Sequence, residues 1–336
     1  MKVSELGEFG LISLLTDIVN DTKNLKDTSW QRLLTGIGDD AAVWRSDGGV
    51  QMATTDSLVQ DTHFDLDLVT WEELGWKAIA VNLSDIAAMG GTPAYALVSL
   101  SLPGELDVDN VSSLYRGMAQ IAGRFGVAIV GGNIAAADKT TINVTVLGSL
   151  ESESMLSRSA AVTRDQIAVI GYLGLSAAGL RMLKQHLKFD TETTQLFREA
   201  HLTPLPRIDE GQILLHRGVK AAIDISDGLI ADLTHICEAS QVSAHVNQDS
   251  VLIHPALKKN FKSDFLQLAL AGGEDYELLF TASNQVITRL KKAVSGPITI
   301  IGEITQGKPG QVTVTDATGK AIRWQTAGWE HFKSGK

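Results

Sequence analysis

One cysteine, Cys237, stands among 336 residues. It cannot form an intrachain disulfide, and no Cys/His spacing suits zinc, so the chain reads as cytosolic. Cys237 itself falls in a run of helical apolar spacing and reads as a small core residue. Nowhere do 18 apolar residues run without interruption, and the first dozen residues lack a basic segment ahead of an apolar run. Neither a membrane span nor an export signal is therefore expected. Basic residues are also scarce: 29 Lys and Arg stand against 39 Asp and Glu, a formal charge of -10. That deficit argues against nucleic acid or an anionic membrane as the main partner, and any bound phosphate would need metal to neutralise it. Low-complexity segments and close internal repeats are missing too. With 44% hydrophobic and 20% charged residues, the chain is long enough for two globular domains. A polar stretch rich in Glu and Ser, Glu151 to Thr163, suggests a boundary that divides it into 1–152 and 153–336.

The periodicities alternate between strand and helix, as in an α/β or α+β layer protein. Ser4 can cap a helix to about Asn20, and Asp21 to Trp30 reads as a loop. Strands are expected at Ala41–Trp44, Val50–Thr55, Ala94–Leu102 and Thr141–Leu150, and another at Val127–Val130 that ends in a Gly131-Gly132-Asn133 turn. Helices are expected at Trp71–Met89 and Val108–Phe125. In the second half, Gln166–Ile170, Val219–Ile225, Tyr276–Thr281, Pro297–Ile301 and Val312–Val314 read as strands. His201 to Arg207 reads as a proline-stiffened turn.

Chemistry concentrates between Gly36 and Asp85. Gly36-Ile37-Gly38-Asp39-Asp40 places two carboxylates among small residues, either as a turn, which Gly and Asp favour, or as a metal site. In the strand that follows, alternation puts Thr54 and Asp56 on one face and Thr55 on the other. Thr70 and Glu73 form a capping-box signature ahead of the Trp71–Met89 helix, and Gly90-Gly91 and Pro93 stop it. This helix is apolar nearly all round, with Asp85 on the stripe of Leu74, Ala78, Val81 and Ala88. A carboxylate there is costly unless it meets a cation, which either an ion pair or a metal site supplies. Two acidic glycine turns lie further on: Asp224-Ile225-Ser226-Asp227-Gly228, where Asp227 is either a helix-terminal acid or a functional one, and Gly272-Gly273-Glu274-Asp275-Tyr276-Glu277. Gly171 to Gly179 has the look of a phosphate-cradling turn without the Walker Lys-Ser/Thr, and close helix packing explains its glycines better.

In order along the chain, Gly7-Glu8-Phe9, Gly36-Ile37-Gly38-Asp39-Asp40-Ala41, Thr54-Thr55-Asp56, Val81-Asn82-Leu83-Ser84-Asp85-Ile86-Ala87-Ala88-Met89-Gly90, Ile223-Asp224-Ile225-Ser226-Asp227-Gly228-Leu229 and Gly272-Gly273-Glu274-Asp275-Tyr276-Glu277-Leu278 resemble the thiamine-monophosphate kinase family. That family is related to aminoimidazole ribonucleotide synthetase, selenophosphate synthetase and a hydrogenase maturation factor. The Ser-Asp-Ile-Ala-Ala-Met-Gly block speaks for the wider superfamily, while the Gly-Gly-Glu-Asp-Tyr-Glu-Leu block and the terminal Gly328-Trp329-Glu330-His331-Phe332 speak for the kinase.

The resemblance implies an aminoimidazole ribonucleotide synthetase-like fold: an N-terminal mixed sheet with helices that dimerises through its sheet, and a C-terminal α+β sandwich. ATP and thiamine monophosphate would bind between the two, and the γ-phosphate would pass to the acceptor in the last step of thiamine diphosphate biosynthesis, in a cytoplasmic homodimer. By the same resemblance Asp40, Thr54, Thr55, Asp56, Asp85, Asn133, Asp224 and Asp227 hold several Mg2+ ions, and Asp40, Asp56, Asp85 and Asp224 are catalytic. Tyr115, Gly132, Asn133, Arg158 and Ser226 match ATP contacts. His63, Glu274 and Trp329 match contacts to thiamine monophosphate, with Trp329 stacking on its rings. Two positions depart from the family pattern: Asn133 stands where an acid is usual, and Ser159-Ala160-Ala161-Val162-Thr163-Arg164-Asp165 replaces Ser-Gly-Ala-Lys-Pro-Gly-Asp. The readings that compete with it are another ATP-using member of the superfamily and a non-catalytic homologue that binds thiamine phosphate or nucleotide. Selenophosphate synthetase would need a reactive Cys or selenocysteine near the N-terminus, which the chain lacks.

Overall fold

The computed structural model describes residues 31–322, together with Gly10, Ile12, Ser13, Thr16 and Gly328. The expected helix from Ser4 to Asn20 and the Gly328 to Phe332 block, Trp329 included, therefore lie almost wholly outside the described residues.

The first sheet is built from β1 (Leu33–Thr35), β2 (Ala42–Ser46), β3 (Gly49–Val59), β4 (Thr92–Leu102), β5 (Ala128–Ala136) and β6 (Thr141–Leu150). Its order is β1-β2-β3-β6-β4-β5, antiparallel except where β5 pairs in parallel with β4. Strict alternation in β6 sends Ile142, Val144, Val146 and Leu150 into the core, as a strand wet on one face requires. The second sheet contains β7 (Gln166–Ile170), β8 (Ala221–Asp224), β9 (Ser243–Asn247), β10 (Leu278–Ala282), β11 (Ile298–Thr305), β12 (Val312–Thr315) and β13 (Ala321–Ile322), in the order β13-β12-β9-β11-β7-β10-β8. Here β9 and β12 are the parallel pair. Every residue of β8 and β10 is buried, which fits sequences that are apolar apart from Asp224 and Thr281.

Between the sheets runs the helix Trp71–Ala88. Thr70 caps it as the sequence predicts: its hydroxyl accepts from the Glu73 N–H, and the Glu73 carboxylate accepts from the Thr70 N–H at 2.9 Å. At the other end Gly90 adopts φ +73 and the Gly91 N–H returns to the Ile86 carbonyl, the left-handed stop that glycine makes cheap. One hydrophobic core contains this helix, the inner faces of β3, β4 and β6, and also Ala168, Ile170, Ala222, Leu278 and Phe280 of the second sheet. The opposite face of the second sheet packs a separate core with the helices Leu175–Lys184, Thr191–Leu202 and Leu229–Ala239. Helix Val108–Arg124 crosses the buried helix with backbones touching. A Cβ added to Gly75 would lie 1.9 Å from the Leu114 carbonyl oxygen, and one on Gly117 1.8 Å from that of Glu72.

The structure differs from three local expectations. The strand predicted to end at Val130 continues through Gly131-Gly132-Asn133 to Ala136; the glycines serve close pairing, since a Cβ on Gly132 would strike the Val98 carbonyl. Tyr276 does not open a strand, because Glu274 and Tyr276 take positive φ (+63 and +49) and β10 begins only at Leu278. His201 belongs to the last turn of the helix Thr191–Leu202 and not to the proline turn after it.

Candidate active site

A cleft of about 1320 Å3 opens between the sheets, lined on one side by β3 and the buried helix and on the other by the turns after β8 and before β10. Among the residues that the sequence marks for a site, Asp40, Thr54, Thr55, Asp56, His63, Asp85, Arg158, Ser226, Asp224, Asp227 and Glu274 all line it. They come from six separate stretches of chain. Carboxylate oxygens of Asp40, Asp85 and Asp224 lie within 4.8 Å of one another, although the residues arrive from a glycine turn, a helix and a strand of the other sheet.

Burial without compensation dominates the electrostatics here. Desolvation and the negative charges around it hold the Asp85 carboxyl well above the usual carboxylate range. Burial, with Asp40 next to it, pushes Asp224 up to about 8. Burial pushes Asp56 up to about 6, and a hydrogen bond to Asp85 offsets part of that rise. Two hydroxyls steady the group: Thr54 donates to Asp85 at 2.5 Å and Ser84 to Asp224 at 2.6 Å. Arg158 supplies the cation, gripping Asp40 through Nε at 3.2 Å and through a second nitrogen at 2.5 Å. Three carboxylates and a threonine hydroxyl form an oxygen donor set, which suits a hard cation such as Mg2+. A divalent ion would offset the burial and the mutual repulsion that raise Asp85 and Asp224.

The two readings of Gly38-Asp39-Asp40 divide between its acids. Asp39 serves the turn and the seam between the sheets, accepting from its neighbour's N–H, from the Ser157 hydroxyl at 2.7 Å and from the Arg158 N–H. Asp40 turns into the cluster. The strand faces come out as alternation requires. Thr54 and Asp56 point toward Asp85, whereas the Thr55 hydroxyl donates to the Val144 carbonyl on the opposite face, so a hydroxyl ligand from Thr55 is not what the geometry offers. Asp227 lines the cleft, while Asp232 accepts from the N–H groups of Asp227 and Gly228 and holds that turn. Tyr115, Gly132 and Asn133 are not among the cleft residues: Tyr115 packs against the first core, and Gly132 and Asn133 are exposed on the edge strand β5.

The glycine-rich turn before the helix Leu175–Lys184 is not open to a phosphate. Its N–H groups at Gly174 and Ser176 donate to the Asp275 carboxylate at 2.7 and 3.1 Å, so the chain's own acid occupies the position an anion would take. Gly179 packs with its backbone against Phe197, where a Cβ would come within 2.1 Å of a carbonyl.

Two family models cover most of the chain: AIR synthase related protein, N-terminal domain, over residues 38–150, and its C-terminal domain over 165–315. Thiamine-monophosphate kinase of Bacillus subtilis is 38% identical over 309 residues, which are 89% of this chain and 93% of the relative. That of Aquifex aeolicus is 35% identical over 336 residues, 99% of this chain and 100% of the relative. The chain belongs to the thiamine-monophosphate kinase family. A solved structure of AaThiL complexed with AMPPCP and TMP matches with a TM-score of 0.82 at 33% identity, covering 98% of this chain and 99% of that one. This chain thus carries two AIR synthase related domains, each a mixed sheet with helices, and shares its fold with the AaThiL structure.

At the cleft end away from the acidic cluster, the structure adds residues that the sequence reading passed over. Lys77 is 3% exposed on the buried helix, and its Nζ lies 2.8 Å from the Glu274 carboxylate. His201 lies 3.4 Å from the other Glu274 oxygen and 3.0 Å from the Ser176 hydroxyl. Burial drives His201 down to about 3, with Lys77 adding to the fall, so the ring is neutral. His63 accepts the Val59 N–H on Nδ1 at 3.0 Å, which leaves its proton on Nε2. One sign was available beforehand: a lysine within a helix apolar nearly all round needs a partner as much as Asp85 does.

Proposed function

We propose that this protein transfers the γ-phosphate of ATP to thiamine monophosphate, forming thiamine diphosphate, in a Mg2+-dependent reaction. The observation that carries the reading is the convergence of Asp40, Asp85 and Asp224, from a glycine turn, the central helix and the second sheet, in a cleft that Glu274 and His63 also line. Relatives named thiamine-monophosphate kinase and the AMPPCP and TMP complex of AaThiL support it. The cluster of Asp40, Thr54, Asp56, Asp85, Asp224 and Asp227 would hold the ions, which supply charge neutralisation between two phosphates.

The chain's own groups do the rest. A phosphomonoester has a second pKa of ~6, so the acceptor oxygen is already ionised near neutrality and needs no general base. The obstacle is repulsion: two unit charges 4 Å apart repel by roughly 4 kcal/mol at an effective dielectric of 20. Arg158, fixed by Asp40, adds a positive charge beside that meeting point, and Ser226 offers a hydroxyl from the turn that carries Asp224 and Asp227. Trp329 follows Gly328, which lines the cleft, and is assigned to the thiamine rings. The protein works in the cytoplasm, with the division at 152/153 separating a metal-binding half from one that completes the nucleotide and acceptor sites. Exposed Tyr95 and Leu97 on β4 and Val130 and Ile134 on β5 support a homodimer through the first sheet, and in it Tyr115, Gly132 and Asn133 complete the nucleotide end of a neighbouring cleft. Incubation of the pure protein with ATP, Mg2+ and thiamine monophosphate tests the reading. Thiamine diphosphate is the expected product, and ATP turnover without it, or no turnover, would overturn the proposal.

A further inference from the structure

Lys77 is the buried cation of the helix Trp71–Ala88. An ammonium removed from water is costly unless it is paired, and here its partner is Glu274, reached across the seam between the sheets. Glu274 is held with some strain. Its backbone sits at φ +63, a left-handed conformation uncommon for a residue with a side chain, and is pinned by hydrogen bonds from Glu274 N–H to the Ser226 carbonyl at 2.7 Å and from Tyr276 N–H to the Ile225 carbonyl at 2.9 Å. Such strain persists where the surroundings impose it, commonly beside a ligand. Each carboxylate oxygen has two lone pairs. Lys77 takes one oxygen and His201 approaches the other, yet 30% of the Glu274 side chain remains open to the cleft. The same helix carries the acidic end of the site. Lys77, Val81 and Asp85 follow one another along its cleft-facing stripe, and eight positions at 1.5 Å each separate Lys77 from Asp85 by about 12 Å.

Resting on the kinase reading of the cleft, we infer that Lys77 and His201 are positioning residues for the acceptor: they fix Glu274 as an ionised acceptor of hydrogen bonds, while the helix sets its distance from the phosphate end. The site then selects a phosphomonoester whose cationic or N–H-donating head reaches Glu274 while its phosphate stays at the acidic cluster. In thiamine monophosphate the aminopyrimidine is that head. The fragment that keeps the thiazolium and its phosphate but lacks the aminopyrimidine does not reach Glu274.

The test is a cycle of protein and substrate truncation, run on the full chain. Lys77→Met and Glu274→Gln should each raise the KM for thiamine monophosphate by roughly tenfold or more, with the KM for ATP within about twofold of wild type. On the phosphorylated thiazolium fragment, a poor substrate for all, the variants should equal wild type. Because Lys77→Met strands a carboxylate and could unfold the chain, the double variant Lys77→Met/Glu274→Gln removes both charges and keeps the fold. It should match Glu274→Gln in KM. Equal changes for both substrates, no change, or an equal penalty on the fragment would overturn the inference while leaving the kinase reading intact. A wild-type protein that makes no thiamine diphosphate would remove both.

Discussion

At one end of the cleft, Asp40, Asp85 and Asp224 crowd together with Arg158 gripping Asp40. At the other, Glu274 meets Lys77 and a neutral His201. Both ends bury acids, but their acids respond oppositely. Burial raises Asp56, Asp85 and Asp224. Burial also acts on Glu274, yet the Lys77 ammonium, through its charge and its hydrogen bond, outweighs it and holds that carboxyl below its ordinary range. A set of acids left to repel one another is unfinished without a cation, and so marks where charge has to arrive. A paired acid is finished beforehand and serves as a fixed point for recognition.

The largest effect should come from breaking the unfinished end. Asp85→Ala is expected to cut turnover to less than a tenth, a loss above ~1.4 kcal/mol in activation free energy, while the melting temperature in chelator stays level or rises because repulsion is relieved. A variant that keeps more than a tenth of the rate would remove Asp85 from the reacting centre. Next in size, Arg158→Met strands Asp40, whose side chain is fully buried, and should cost about 3–5 kcal/mol in denaturant unfolding. Adding Asp40→Asn to it should recover most of that loss. No recovery would mean that Arg158 stabilises through packing.

A pH series sharpens the contrast. Acids whose folded pKa is raised stabilise the fold below their unfolded pKa and lose that contribution as pH climbs through the folded value. For Asp56 and Asp224 the window runs from about 4 up to about 8. The metal-free protein should therefore melt at progressively lower temperature between those limits, and Mg2+ should flatten the slope. An unchanged slope in Asp224→Asn would show that the dependence arises elsewhere. The smallest effect concerns Asn133. As an exposed residue of β5 it lies outside the cleft, and the proposed homodimer is what would bring it to a nucleotide. If it does so as an uncharged ligand, Asn133→Asp should lower the Mg2+ concentration for half-maximal rate severalfold. Identical titration curves for the two proteins would take position 133 out of the metal site.

The local pieces were legible because short-range physics sets them. The Thr70–Glu73 box and the Gly90 stop bound the central helix in sequence and in structure alike, since both act within one turn. Alternation placed Thr54 and Asp56 together and sent the Thr55 hydroxyl away, because the pleat leaves a strand no other choice. The resemblance to the kinase family drew most of the acids of one cleft from six stretches of chain. Other features depended on neighbours far off in sequence. Whether Gly131-Gly132 makes a turn or a strand depends on β4 lying beside it, and whether the glycines at Gly174 admit a phosphate depends on Asp275, about a hundred positions later. Lys77 reads as one polar interruption until the second sheet brings Glu274 to it. By itself the sequence determined which residues are acidic, which faces are apolar and where helices begin and end. Only the tertiary structure decided which charges meet, because pairing across the seam between two sheets depends on distances that no local pattern contains.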